Sequence, residues 1–299
     1  MTTATSAIGT VPPERLVATV PRRNRRREGT LFFVARHAIA IAVAVCALAP
    51  IVLIVLTSFM SPQQSLTSNY WPTTWHFGNY AEVFSKLDMW RYLLNTVMYA
   101  VLATGFMLLS SVPAAYALSK LKWRSRNFVF LVIICMMLLP AQITTVPLYL
   151  WWAHLHLTGT LWPLILPNLL GDGFSIFLLR QFMVTIPSEY LDAARIDGAG
   201  EWRTLLRVIV PMTRPGIAAA GLFMFFSCWN DYYGPYLYTS ENSKNWTLSF
   251  ALASFHGLHN VEWNLVMAAG VITILPIMVL FFFAQKAFVQ GVTLTGVKG

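Results

Sequence analysis

From residue 127 to 171 the chain runs without one Asp, Glu, Lys or Arg, and it does so again over 92–119 and 263–285. Successive apolar runs of that length are what lipid, not water, accommodates. A soluble domain carries about 25% charged residues, whereas here 11% are charged and 57% hydrophobic. A water-soluble enzyme, a disordered chain and a disulfide scaffold are all poor fits. The pattern is that of an integral membrane protein.

A membrane-crossing helix needs about 20 mostly apolar residues. Six stretches qualify, at about 36–59, 92–119, 127–151, 161–182, 215–238 and 263–285. Pro140, Pro147 and the polar segment 154–159 divide the long uncharged run into the third and fourth. The first is too long for a signal-peptide core and lacks a clear small-x-small cleavage site, so it reads as a retained anchor. Open sheet edges cannot face lipid, and these segments are too continuously apolar for barrel strands. The expected class is all-α, with six transmembrane helices. Cys46, Cys135 and Cys228 lie in apolar stretches, match no metal motif or disulfide framework, and read as small buried hydrophobes.

The formal charge is +9, from 21 Lys and Arg against 12 Asp and Glu. Nucleic-acid binding would be one source of that excess, but no nucleic-acid motif accompanies it. The basic residues flank apolar segments instead. With the N-terminus inside, all but Lys86, Arg91 and Lys244 fall on the cytoplasmic side. That asymmetry orients the chain N-in and C-in. Residues 1–34 then form a disordered basic tail that touches anionic lipid. Residues 35–90 hold the first transmembrane helix and an outer loop whose Tyr70, Trp71, Trp75 and Tyr80 suit the membrane–water interface. Residues 91–285 form the main transmembrane domain, and 286–299 a cytoplasmic C-terminal tail.

The cytoplasmic loop at 183–214 is long, and its residues read as helix, turn, helix. Ser188 after Pro187 suits an N-cap, and Glu189 and Asp192 fall in the first turn, where the helix dipole favours acids. Leu191, Ala194 and Ile196 give a small apolar side. Gly198 and Gly200 permit a tight turn. A second helix carries Trp202, Leu205, Leu206, Val208 and Ile209 up to Pro211. Ala193, Ala194 and Gly198 have almost no side chain, which lets a groove on another protein approach the backbone.

This loop resembles the EAA loop of ABC-importer permeases. The family pattern is Glu-Ala-Ala, three residues, Gly, nine residues, then Ile-x-Leu-Pro. Here Asp192-Ala193-Ala194 is followed by three residues and Gly198, and nine more lead to Val208-Ile209-Val210-Pro211. Asp stands for Glu and Val for Ile and Leu, all of like chemistry. The resemblance implies the type I ABC-importer permease fold and makes 91–285 an ABC type-1 transmembrane domain. It also implies that Glu189, Asp192, Ala193, Ala194, Asp197, Gly198 and Pro211 belong to a coupling helix docked on a cytoplasmic ATPase. The sequence holds no Gly-x-x-x-x-Gly-Lys-Ser/Thr phosphate loop. Hence the chain reads as a transport subunit, not an enzyme, with no bound cofactor, while ATP and Mg belong to the partner.

The ending Thr295-Gly296-Val297-Lys298-Gly299 is similar to that of the maltose-type carbohydrate permeases, in the shorter of their two permease subunits. There Gly-Ala is usual where this chain has Thr-Gly. Trp229-Asn230-Asp231 resembles that group's Trp-Asn-acid stretch. The branch implies a second homologous permease chain, an ATPase dimer, an extracytoplasmic solute-binding protein and a bacterial plasma-membrane location. Gly296, Val297, Lys298 and Gly299 would reach the ATPase.

Asp172, between Gly171 and Gly173, lies about mid-membrane in the fourth span, and an intramembrane acid is a functional candidate by default. Asp231 lies in the outer part of the fifth, beside Trp229, Asn230, Tyr232 and Tyr233. Aromatic faces with amide and carboxylate acceptors suit sugar hydroxyls. Packing at a helix interface, or an interfacial aromatic belt, would use the same residue types. His154 with His156, and His256 with His259, lack a third ligand nearby, so no metal is expected. The solute expected is a di- or oligosaccharide. Glycerol-3-phosphate or glycerophosphodiesters are the alternative, disfavoured because no Arg or Lys lies near Asp231. An ion-driven secondary transporter would show an inverted repeat, which the sequence lacks, and would not need the loop.

Overall fold

The computed structural model describes residues 30–258 and 262–296, and every regular element among them is helical. In chain order they are α1 (Thr30–Ser58), α2 (Gly78–Lys86), α3 (Met89–Ser119), α4 (Arg126–Met137), α5 (Ala141–His154), α6 (Trp162–Ile165), α7 (Gly173–Val184), α8 (Glu189–Ile196), α9 (Glu201–Thr204), α10 (Val210–Met212), α11 (Arg214–Asn230), α12 (Tyr233–Thr239), α13 (Leu248–Leu258) and α14 (Trp263–Gly296). The basic head before Thr30 and the final 297–299 lie outside the described residues, as does His259.

The chain divides into two compact units, residues 1–50 and 51–299. What is described of the first is the start of α1, whose side chains from Phe32 to Pro50 are all exposed. A helix apolar on every side suits lipid. The second unit is built on α3, against which α7 and α11 pack. The α14 helix packs on α11 and α2, with α13 beside it. Small side chains make these contacts: Ala100, Ala103, Ala115, Ala219 and Ala268 are fully buried. Helices in lipid gain little from the hydrophobic effect, so close backbone approach and dispersion hold them together. At Gly216 the approach is tight enough that a Cβ would lie 2.6 Å from Cγ of Phe182.

Phe32–Ser58, Met89–Ser119, Trp162–Val184 and Trp263–Gln285 are each long and apolar enough to cross a membrane. Two bent pairs, Arg126–Met137 with Gln142–His154 and Glu201–Met212 with Arg214–Asn230, bring the number up to six where each pair is counted as one span. The expected third span is therefore not one helix. Its halves meet at 93° around Pro140, which has no N–H and disfavours helical backbone at Leu139. The expected fifth span stops at Asn230, where Asp231 turns extended (φ −67°, ψ 115°). The fourth is interrupted at Gly171, whose φ of +92° is open only to glycine without strain.

Helices α2 and α13 were not expected. The α2 helix has little net hydrophobicity and buries only Asn79 and Val83. Asn79 Nδ2 donates to the carbonyls of Ser58 (2.8 Å) and Met60 (2.9 Å), and its Oδ1 accepts from Asn264 (3.3 Å). Lys86 pairs with Glu262 at 2.5 Å and with Glu82 at 2.9 Å. Hydrogen bonds to those carboxylates, Glu262 first, hold its ammonium above the usual lysine range. Of the three cysteines only Cys228 is buried; Cys46 and Cys135 are exposed on apolar helices, contrary to the expectation of three buried thiols.

Candidate functional site

In the 183–214 loop, α8 lies on the end of the bundle. Leu191 (3% exposed) enters the core among Tyr116, Met183, Ile186 and Leu205, and Ala194 is buried beside it. Glu189, Asp192, Ala193, Asp197 and Gly198 are exposed. Ile196 is 87% exposed, and Trp202 and Leu206 stand out at 68% and 62%. Three expectations change. Ile196 does not share a face with Leu191 and Ala194, because five residues at 3.6 per turn place it on the far side. Ala194 serves the bundle, leaving Ala193 as the small residue of the outer surface. Ser188 is also not a side-chain cap: its backbone is already helical (φ −68°, ψ −22°), and its carbonyl accepts from Leu191 and Asp192.

The helix ends in a Schellman turn. Gly198 N–H donates to Arg195 O (3.0 Å) and Ala199 N–H to Ala194 O (2.9 Å), with Gly198 at φ +73°. Arg195 then spans to Asp192 and Glu201, both at 3.3 Å. Glu201 also accepts from Tyr116 Oη at 2.5 Å, which ties the loop to the end of α3. Lys120 donates to Ile186 O, and burial lowers its pKa from the ordinary lysine value. Tyr116 and Glu201 are 85 residues apart, and no sequence signal links them. Beyond α9 the chain widens into a π-helical turn, Leu205–Ile209, directly before Val210-Pro211. Buried Thr213 then turns it 81° into α11, its Oγ1 donating to Ile209 O at 2.7 Å.

The acids of the spans sit at helix breaks. Asp172 is the N-cap of α7, with Oδ2 accepting from Ser175 N–H at 2.7 Å, and its own N–H donates to Ser111 Oγ. It lines a groove of about 290 Å³ between α7 and α11 with Phe174, Ser175, Phe223, Met224 and Ser227. Phe174 and Phe223 meet edge to face at 5.5 Å. Ser227 was missed from sequence, although Phe223, Ser227 and Asn230 recur at helical spacing on one face of α11. Asp231 accepts from Tyr99 Oη (3.0 Å) and Gly234 N–H (3.0 Å). Tyr232 and Tyr233 are about half exposed, and Asn230 is exposed with its amide on Phe226 O. Trp229 differs from expectation. It is 3% exposed, stacked on Phe225, and its indole N–H donates to Thr273 O at 3.2 Å. It offers no face to a solute here and serves the α11–α14 contact.

Residues 107–294 match the family model of the binding-protein-dependent transport system inner membrane component. The chain belongs to that family. It is an ABC-transporter permease and a multi-pass inner-membrane protein. An arabinooligosaccharide transport system permease of Halalkalibacterium halodurans is 30% identical over 263 residues, covering 86% of this chain and 93% of the relative. A diacetylchitobiose uptake system permease of Streptomyces coelicolor is 29% identical, covering 86% of each. A chain of a solved bacterial ABC transporter, involved in import of the acidic polysaccharide alginate, superposes with a TM-score of 0.77. That match has 25% identity and covers 88% of this permease and 98% of that chain.

Proposed function

We propose that this permease forms half of the membrane pore of an ATP-driven importer for a neutral di- or oligosaccharide. Relatives named for oligosaccharide transport support the solute class. The groove carries the chemical argument. Its aromatic and hydroxyl lining, with Asp172 and no Lys or Arg, suits a neutral hydroxylated ring better than a phosphodiester. Asp172, Asn230, Asp231, Tyr232 and Tyr233 are assigned to the path, Asp172 and Asn230 most directly. A second permease chain would close the groove, and a solute-binding protein would deliver the sugar.

The loop end is assigned to the cytoplasm, giving N-in and C-in. There the exposed surface of α8, from Glu189 through Asp192, Ala193 and Ile196 to Gly198, would dock on an ATPase dimer that holds ATP and Mg. Pro211 would shape the turn behind it, and the end from Gly296 to Gly299 would add a second contact. The test is a thermal-shift screen of the cognate solute-binding protein over neutral saccharides and glycerophosphodiesters. Stabilisation by a neutral saccharide is expected. Stabilisation only by a phosphodiester would overturn the solute class and leave the family assignment intact.

A further inference from the structure

A cavity of about 410 Å³ at the corner between α3 and α4 is lined by Lys122, Trp123, Arg124, Arg126 and Asn127. The corner segment, residues 120–127, contains no acid. Among the described residues, no carboxylate forms an ion pair with Lys122, Arg124 or Arg126. Arg126 donates to Leu121 O (3.3 Å) and the Trp123 indole to Ala117 O (3.1 Å), which fixes the shape of the corner. One turn along α4, Phe130 carries the Arg180 guanidinium 3.9 Å over its ring, a fourth cation on the same corner.

Immediately beyond the cations the surface changes character. Phe128, Leu131 and Val132 of α4 are exposed, and Trp123 stands at the boundary. Indole rings favour the junction of water and hydrocarbon. A free anion would use the cations and leave the apolar strip bare. An amphiphile with a negative head uses both. We propose that this corner binds an anionic phospholipid, with its phosphate among Lys122, Arg124 and Arg126 and its acyl chains along the exposed side of α4. The corner shares its end of the bundle with the 183–214 loop, through Lys120 to Ile186 and Tyr116 to Glu201. With that end cytoplasmic, as proposed above, the site faces the anionic leaflet.

The test is native mass spectrometry of the intact permease released from bilayers of mixed phosphatidylglycerol and phosphatidylcholine. Wild type should retain phosphatidylglycerol selectively. K122Q/R124Q/R126Q should weaken retention roughly a hundred-fold, at about fivefold per basic residue. The charge-preserving K122R/R124K/R126K should restore it. Fifteen inner cations against three remain in the neutralised variant, so its topology is kept. Equal retention of the two lipids by wild type, or of phosphatidylglycerol by wild type and the neutralised variant, overturns the proposal. Displacement of the lipid by millimolar inorganic phosphate would make the corner a free-anion site and overturn it. So would unchanged lipid retention by the neutralised variant together with loss of its binding to added ATPase subunit, which would make the corner a protein contact. None of these readouts needs a transported solute, so the result stands apart from the carbohydrate assignment.

Discussion

Leu191 and Ile196 are five residues apart on α8 and have opposite exposures, 3% and 87%. Truncating each to alanine should separate folding from coupling. Leu191→Ala opens a hole in the cluster that includes Tyr116, Met183 and Leu205. Such truncations cost about 3 kcal/mol, and the exposed Arg195 pairs, worth about 0–1 kcal/mol each, cannot compensate. Ile196→Ala removes nothing buried, so folding stability should stay within about 0.5 kcal/mol. If Ile196 is covered by the ATPase, its truncation removes about 2 kcal/mol of burial, or roughly thirty-fold in affinity. Thermal unfolding of the purified permease, alongside titration of ATPase onto bilayer-embedded complex, reads both. Leu191→Ala should lower the melting temperature and Ile196→Ala should not, while Ile196→Ala weakens ATPase binding. Unchanged ATPase affinity in Ile196→Ala would refute the docking face. Equal destabilisation by both would refute the orientation of α8.

Asp172→Ala should cost about 1 kcal/mol by removing the α7 cap, while Asp172→Asn keeps a capping oxygen; uptake by whole cells should fall in both if the carboxylate meets solute, and recovery in Asp172→Asn would reduce its role to capping. Tyr116→Phe removes the hydroxyl that donates to Glu201 and should lower stability by about 1–2 kcal/mol in thermal unfolding, an unchanged midpoint removing the tie from the account. Gly216→Ala forces a methyl against the Phe182 ring and should destabilise by about 1–3 kcal/mol, with partial recovery in Gly216→Ala/Phe182→Leu; a neutral single variant would refute the close α7–α11 approach.

Helix content and the number of apolar segments were legible because charge must leave wherever lipid is the solvent. The loop was legible because its Asp192-Ala193-Ala194, Gly198 and Pro211 meet backbone demands: small residues, a positive φ, a missing N–H. What was not legible depends on partners far away in sequence. Nothing local tells that Trp229 spends its N–H on Thr273, or that Ala194 faces inward while Ala193 does not. The expected spans run straight through Pro140 and Gly171, where the helices in fact break, and the angles at those breaks come from tertiary packing. The start of α12 shows the same limit, since Asp231 stops one helix by accepting from Gly234 of the next.

The corner at Thr213 has a mechanical consequence. Residues 201–212 and α11 form two arms of 12 and 17 residues joined at 81°, about 18 and 25 Å at 1.5 Å per residue. Thr213 is buried and bonded to Ile209 on one side of the corner, and Gly216 lies tight against Phe182 on the other. If the two arms turned as one rigid piece about Thr213, they would work as a bell crank. Displacing the end of the short arm by 1 Å swings the far tip of α11 by about 1.4 Å, the ratio of the two lengths. That tip is Asn230, with Ser227 of the groove one turn inside it, so a movement at the foot of the bundle would be enlarged at the groove.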